Sequence, residues 1–373
     1  MKTLSLARYA AGVGLAALLA ACSGASSSLA PAAGSLTPLS RHNALALTIP
    51  HYVALPVHPD RGRSRMKPLP DKKSALLYVS DMSTYDVYVY SYPSGAAVGT
   101  LTGFDQPYGQ CVDAKGDIFI ANFGSGTVAE YARGGTSPIT TYSPGGDPIG
   151  CSVDTKGDVA VTSFDPGQVT VYRAGNPSSG TTYSDASCKF LWTMGYDRHD
   201  NLVGAGEGSG TAVCELAAGS SSMTTDSFTG TIYFPAGTMW DGKYIAVGDQ
   251  ETGGTDQTGI YQSMLKGATL TEKGDTVLSA SCYGDYTDIV QPFILGKKNI
   301  ANKVQGEAVL GSNIWCAAES EGGQVACYGY PAGGNPTWTL GSPPGEPYGQ
   351  SVSLPPATLS IHRSIIPTCD SGV

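Results

Sequence analysis

The feature that most limits how this chain can fold is its likeness to itself at a shift of 41 residues. Pro107 then falls on Pro148, Gly109 on Gly150, Val112 on Val153, Asp113 on Asp154, and Lys115-Gly116-Asp117 on Lys156-Gly157-Asp158. Agreement runs on through Phe123 and Phe164, Val128 and Val169, Tyr131 and Tyr172, and backwards to Val87 and Tyr90. Within one period, GQCVD and DIFIAN read as strands about a turn in which Asp113 accepts amide hydrogen bonds and Gly116 takes a positive φ. GSG turns the chain again, TVAEY supplies a third strand and PITTYS a fourth.

Four short strands in a period near 40 predict an all-β fold, a β-propeller with one blade per unit. Later units keep the pattern more loosely: MGYDRHDNLVGAG carries it with Asp197, and MWDGKYIAVGD with Asp241. One blade falls at about 236 to 283 and another ends in QVACYGYPAGGNPTWTL, which gives six blades in all. QPFILGKKNIANKVQ is then an insertion or a displaced strand, or else belongs to a seventh, degenerate blade.

The two ends complement each other. LLYVSD, DVYVYSYPSG and VGTLTG supply the second, third and fourth strands of a blade, whereas PYGQSVS at 347 to 353 is a lone first strand that repeats the PYGQ of 107 to 110. YSYPSG at 90 to 95 returns as YGYPAG at 328 to 333, marking the end of a third strand in each terminal set. The C-terminal strand is therefore expected to pair with the N-terminal blade, shutting the ring and leaving no open edge between first and last. The propeller would span 74 to 356, with a tail at 357 to 373.

The first residues have another character. Lys2 and Arg8 precede an apolar run from Ala10 to Ala21, too short to span a bilayer as a mature helix, so 1–22 reads as a secretory signal. Its end, Leu19-Ala20-Ala21-Cys22, resembles the lipobox of bacterial lipoproteins, which implies lipidation at Cys22 and anchoring in a membrane of the cell envelope, with the body periplasmic or at the surface. Residues 23–73 are Ser/Ala/Pro-rich without a sustained period and read as a flexible tether. Its basic end, RGRSRMKPLPDKK, is expected to be a solvated linker, with contact to anionic headgroups or wall polymers as the other reading.

Charge and cysteines narrow the partners. From 74 onward, 13 Lys/Arg stand against 29 Asp/Glu, a net of −16. A body that acidic repels polyanions, so nucleic acid is not an expected partner. Eight cysteines follow Cys22 in what would be an oxidising compartment, an even number that allows disulfides without fixing their pairing. Cys316 and Cys327 flank ESEGG symmetrically and are either partners across a hairpin or two separate core thiols.

The unit P-x-G-x-x-V-D-x-K-G-D-[IV]-x-[IV]-[AT]-[NS]-F resembles the NHL repeat and its relatives, the six-bladed lactonase-like and YVTN-type propellers, over about 74 to 355. The matching residues are turn and packing positions, so the resemblance implies a fold more than an activity. Relatives include virginiamycin B lyase, the amidating lyase and the gluconolactonases, besides binding modules without catalysis. A lyase of that type implies a histidine base, yet among the five histidines only His199 lies in the ring, in a turn, while His42, His51, His58 and His362 lie outside it. A calcium-dependent lactonase implies converging Glu, Asn and Asp; Asn122, Glu130 and Glu207 are of the right types, with no spacing that shows convergence.

Asp113, Asp154, Asp197 and Asp241 are expected as turn caps rather than a carboxylate ring. QETGGTDQTG at 250 to 259 lacks EF-hand spacing and reads as an extended turn. Tyr108 and Tyr348, at the same position in two units, either stack on a sugar or peptide or seal the packing between blades. No catalytic or metal-binding residue is assigned and no cofactor is expected, Ca²⁺ being the one metal left open. The sequence thus points to a monomeric, lipid-anchored binding or scaffolding propeller for a protein, peptide or carbohydrate ligand. The alternative is a metal-assisted lactonase or lyase with its site in the central channel.

Overall fold

In the computed structural model, the described residues are 62–68, 74–208, 210–254, 257–279, 293–295, 314–319, 324–340 and 347–355. Cys22, the stretch 1–22 read as a secretory signal, most of the stretch read as a tether and the tail 357–373 lie outside them. The strands run, in order, β1 (Arg65–Met66), β2 (Ala75–Asp81), β3 (Asp86–Tyr92) and β4 (Ala96–Leu101); then β5 (Pro107–Val112), β6 (Ile118–Asn122), β7 (Thr127–Tyr131) and β8 (Pro138–Tyr142). Next come β9 (Pro148–Val153), β10 (Val159–Ser163), β11 (Gln168–Tyr172) and β12 (Thr181–Ser184), followed by β13 (Gly195–Tyr196), β14 (Leu202–Glu207), β15 (Thr211–Leu216) and β16 (Thr224–Phe228). The rest are β17 (Pro235–Trp240), β18 (Ile245–Asp249), β19 (Gly259–Leu265), β20 (Thr269–Val277), β21 (Phe293–Leu295), β22 (Ile314–Glu319), β23 (Gln324–Gly329), β24 (Pro336–Leu340) and β25 (Pro347–Ser353).

Each period of the sequence becomes an antiparallel meander in which every strand pairs with the next, as short alternating strands joined by tight turns require. β5 to β8 and β9 to β12 are separate four-stranded sheets, as is β21 to β24; Phe293–Leu295, within the stretch that was an insertion or a displaced strand, pairs with β22. β13 to β16 and β17 to β20 are two further meanders joined at their outer strands, where β16 runs parallel to β20 for two residues. The first sheet has the order β1-β4-β3-β2-β25.

That order contains the expected closure. β25 lies antiparallel to β2, with Leu76 opposite Ser353 and Val79 opposite Gln350. It also touches β5 of the next meander: Ser351 Oγ donates to the Gln110 carbonyl at 3.1 Å, and a Cβ on Gly349 would run into the Tyr108 carbonyl and the Gly109 Cα. The Gly of the second PYGQ is thus a point where neighbouring inner strands approach closely. On the far side, one buried cluster joins Leu77 and Tyr92 of the first sheet, Val325 and Tyr328 of β23, and Ala246 and Ile260 of the β17–β20 meander. Tyr330 donates to Asp241 Oδ2 across that last seam at 2.7 Å. The meanders therefore follow one another in a cycle, the all-β arrangement of a propeller.

Two differences from the sequence reading concern the edges and the cysteines. The last part of the segment read as a tether docks: Arg65 and Met66 pair with Thr100 and Gly99, and Lys67 N donates to the Val98 carbonyl at 2.7 Å. This fifth strand covers the outer edge of the closing sheet. Among the cysteines, Cys111 is bonded to Cys151 and Cys188 to Cys214. Cys111 is the fifth residue of PYGQCV, while Cys151 is the fourth of PIGCSV, a separation of 40 in a repeat of 41. Because side chains alternate between the faces of a strand, that one-residue offset turns Cys111 forward and Cys151 back, so they meet between meanders.

Candidate functional site

The inner strands place two sets of side chains at the end where they begin. The first set closes the second strand of each meander: Asp81, Asn122, Ser163, Glu207, Asp249 and Glu319 hold equivalent positions. Asn122 Oδ1 accepts from Asp105 N at 2.6 Å, and Ser163 Oγ donates to the Gly145 carbonyl at 2.7 Å, so each ties the loop leading into its inner strand. Asp249, wholly buried, accepts from Tyr233 N, Phe234 N and Glu251 N at 3.0, 2.9 and 3.1 Å, and from Tyr261 OH at 3.2 Å. Burial pushes its carboxyl up despite those donors, which favour the charged form. Asp81 accepts from Ser83 N and Thr84 N at 3.0 and 2.9 Å. The side chains of Asp81, Asn122, Ser163 and Asp249 are thus occupied in fixing loops.

The second set is aromatic. Tyr108 and Tyr348, equivalent in sequence, meet with ring centroids 4.8 Å apart, and Tyr108 also meets Phe123 at 5.4 Å. Trp192, at the same position two meanders further on from Tyr108, contacts Phe164 at 5.5 Å and Phe234 at 5.8 Å. Tyr108 is 7% exposed and Trp192 5%, so these rings seal the seams between meanders, one of the two roles expected for them. Sequence reasoning paired Tyr108 with Tyr348 but missed Trp192, which the register Asp113, Asp154, Asp197 places beside them.

At the opposite end of the strands, the recurring aspartates cap their turns. Asp113 Oδ1 accepts from Lys115 N and Asp117 N, both at 2.9 Å; Asp154 Oδ1 does the same for Lys156 N and Asp158 N, both at 2.8 Å. Asp197 Oδ1 accepts from His199 N and Asn201 N at 2.7 and 2.9 Å, and Asp241 Oδ1 from Lys243 N at 2.6 Å. Gly116 and Gly157 take the positive φ these turns demand, and Asp200 takes it in the third. His199 sits in that turn, its Nε2 accepting from Arg198 Nε at 2.9 Å on the surface.

Between the β9–β12 and β13–β16 meanders this end carries a cavity of about 50 Å³, room for a few waters but well short of the several hundred Å³ of a usual ligand pocket. Its cations are already paired, Lys156 with Asp200 and Arg173 with Asp158, each at 2.6 Å. The buried Tyr196 hydroxyl lines it, its phenol pushed up by burial first and by Asp154 and Asp158 next. Asn122, Glu130 and Glu207 do not come together as a set: Glu130 lies on β7, where its carboxylate accepts from Tyr142 OH at 2.8 Å, and burial pushes it up. Among the described residues no three His, Cys, Asp or Glu side chains are grouped to hold a metal ion.

Cys327 lies in the buried core and is disulfide-bonded; in the strand register Cys316 is directly opposite it.

No protein-family model matches the sequence, and no curated protein does. Among solved structures, a chain of a nidogen/laminin complex superposes with a TM-score of 0.54 at 13% identity, over 75% of this chain and 98% of that one. A functionally unknown protein from Desulfotomaculum acetoxidans DSM 771 matches with a TM-score of 0.49 at 9% identity, over 75% of this chain and 99% of its own. At such identities the nidogen/laminin likeness speaks for architecture only, and with the meanders it makes this an all-β, propeller-like protein.

Proposed function

We propose that the chain is a six-bladed propeller of the NHL-like kind, anchored in the bacterial cell envelope through a lipid on Cys22, and that it works as a binding or scaffolding module. The six meanders among the described residues support the blade count, with β25 completing the first. Two disulfides accord with an oxidising compartment outside the cytoplasm. No helix among the described residues is long and apolar enough to cross a membrane; the anchor we propose is the lipid on Cys22, read from the Leu19-Ala20-Ala21-Cys22 motif.

The observation that carries the binding role is what the repeated polar residues do. The aspartates at both ends of the strands, and Asn122 and Ser163, spend their hydrogen bonds on turns and loops. A propeller so built is a rigid frame whose loops are free to recognise a protein, peptide or carbohydrate. The nidogen/laminin chain, from a complex of two proteins by its description, is in keeping with that use. We also assign a third disulfide, Cys316–Cys327, from the opposed register.

The test has three arms. Immobilised protein carrying residues 62 to 355 is screened against peptide and glycan arrays, where saturable binding by one class is expected. Metal analysis of the same protein is the counter-test: one tightly held Ca²⁺ or Zn²⁺ per chain, lost on substituting channel carboxylates, would overturn the pure binding reading in favour of metal-assisted chemistry. Cys22→Ser should move the protein from membranes to the soluble fraction, and unchanged fractionation sinks the anchor.

A further inference from the structure

The β13–β16 meander carries a pair of carboxyls that neither turns nor loops employ. Val213 faces Asp226 across β15 and β16, and Glu215 faces Thr224, so Glu215 and Asp226 are diagonal neighbours on one face of the sheet. Both are buried, at 9% and 7% exposure, and each carboxyl lies within electrostatic reach of the other. Among the described residues no N–H or hydroxyl donor reaches either oxygen of Asp226. Two adjacent buried carboxylates cannot both stay ionised, so one proton lies between them.

The described residues around them give no countercharge. Asp197, in the turn between β13 and β14, adds a further negative charge to Glu215, and Asp226 feels Glu215 alone. From the next meander, β20 brings the Glu272 carboxylate against Gly230, and β19 brings the Tyr261 ring to 5.6 Å from Phe228. Among the described residues no lysine or arginine is a cause of the shift of either member of the pair.

Asp226 also directly precedes the residues that join two meanders. Ser227 and Phe228 pair in parallel with Thr269 and Leu270 of β20; Ser227 N donates to the Ala268 carbonyl and Thr229 N to the Leu270 carbonyl, both at 3.1 Å. Two carboxyls sharing a proton thus sit one residue from an inter-meander strand pairing that is only two residues long.

We propose that the Glu215–Asp226 pair is a proton-held latch on the β16–β20 seam: protonated, it draws β16 onto β15 in the register that meets β20, and on losing the proton its like charges push β16 away and open the seam.

The pH window follows from burial and the neighbouring Asp226, which push Glu215 up to about 7. The folded pair keeps its proton in a range where an unfolded glutamate, with its ordinary value of 4.5, has given it up. The latch is therefore at full strength below about 4.5 and is lost as pH rises through about 7.

Glu215→Gln supplies a permanent amide donor to Asp226 and so holds the latch shut at every pH. The thermal midpoint of the unaltered protein should fall between pH 5 and pH 8 by several degrees more than that of Glu215→Gln, and parallel curves overturn the proposal. Hydrogen exchange over 224–229, corrected for intrinsic rates, should lose at least tenfold protection at pH 8 in the unaltered protein only; equal protection at both pH values overturns the link to the seam. If Glu215→Gln fails to fold, the side-chain ¹³C titration of Glu215 in the unaltered protein decides: a midpoint near neutral is expected, and one below 5 refutes the latch.

Discussion

Two neighbouring seams solve one problem by different chemistry. In both, the fourth residue of an inner strand points back at the preceding meander. At the seam between β9 and β5 that residue is Cys151, bonded to Cys111; at the seam between β5 and the closing sheet it is Gln110, whose Nε2 donates to Ser80 Oγ at 2.6 Å and to the Gly349 carbonyl at 3.4 Å. The covalent seam lies inside a continuous stretch of chain, where its partners are 40 residues apart. The non-covalent one joins the two ends of the propeller and rests on backbone pairing, a buried amide and a glycine contact. A seam between near neighbours restricts the unfolded chain when it is cross-linked; a seam between distant ends depends on every other meander being in place first.

Four experiments would break or sharpen that contrast. Removing β25 by truncation before Pro347 strips β2 of its partner and should cost more than about 5 kcal/mol, a sum on the scale of a whole domain's stability. Loss of a cooperative melting transition is the expected readout, and an unchanged transition would show that closure contributes nothing. Replacing Cys111 and Cys151 by serine frees a loop of about 40 residues and should cost about 4 kcal/mol in denaturant unfolding. Gly349→Ala forces a Cβ against the Tyr108 carbonyl and should cost about 1–3 kcal/mol, more than the same change at the open Gly210. Gln110→Ala leaves the Ser80 hydroxyl without its buried partner and should cost about 1–2 kcal/mol, the smallest of the four. If Gln110→Ala proves costlier than the double serine variant, the ranking of the seams is reversed.

Much of this architecture was legible because repetition exposes it. The Asp-Gly turns, the strand order within a unit and the displaced PYGQ strand all leave residue types at fixed offsets, and β25 pairs with β2 as that offset demanded. The Cys111–Cys151 bond was legible in principle, in a spacing of 40 where the repeat is 41, but cysteine counting alone cannot see which face a strand turns. β1 was hidden for another reason: two residues of a basic, proline-flanked stretch carry no alternation, and only the edge of β4 makes them a strand. Glu215 and Asp226 are eleven residues apart on different strands, and neither belongs to a motif. Trp192 was concealed because its unit opens with Leu191 in place of proline.

The composite first sheet also sets a timetable. Leu76 lies opposite Ser353, so at about 5–20 residues per second a strand made early waits some tens of seconds for its partner to leave the ribosome. Through that interval β2, whose inner-facing side is to be filled by β25, presents free backbone donors and acceptors to any passing strand. A chaperone that shields this edge until the last segment arrives would act on the yield of the protein without touching its final stability.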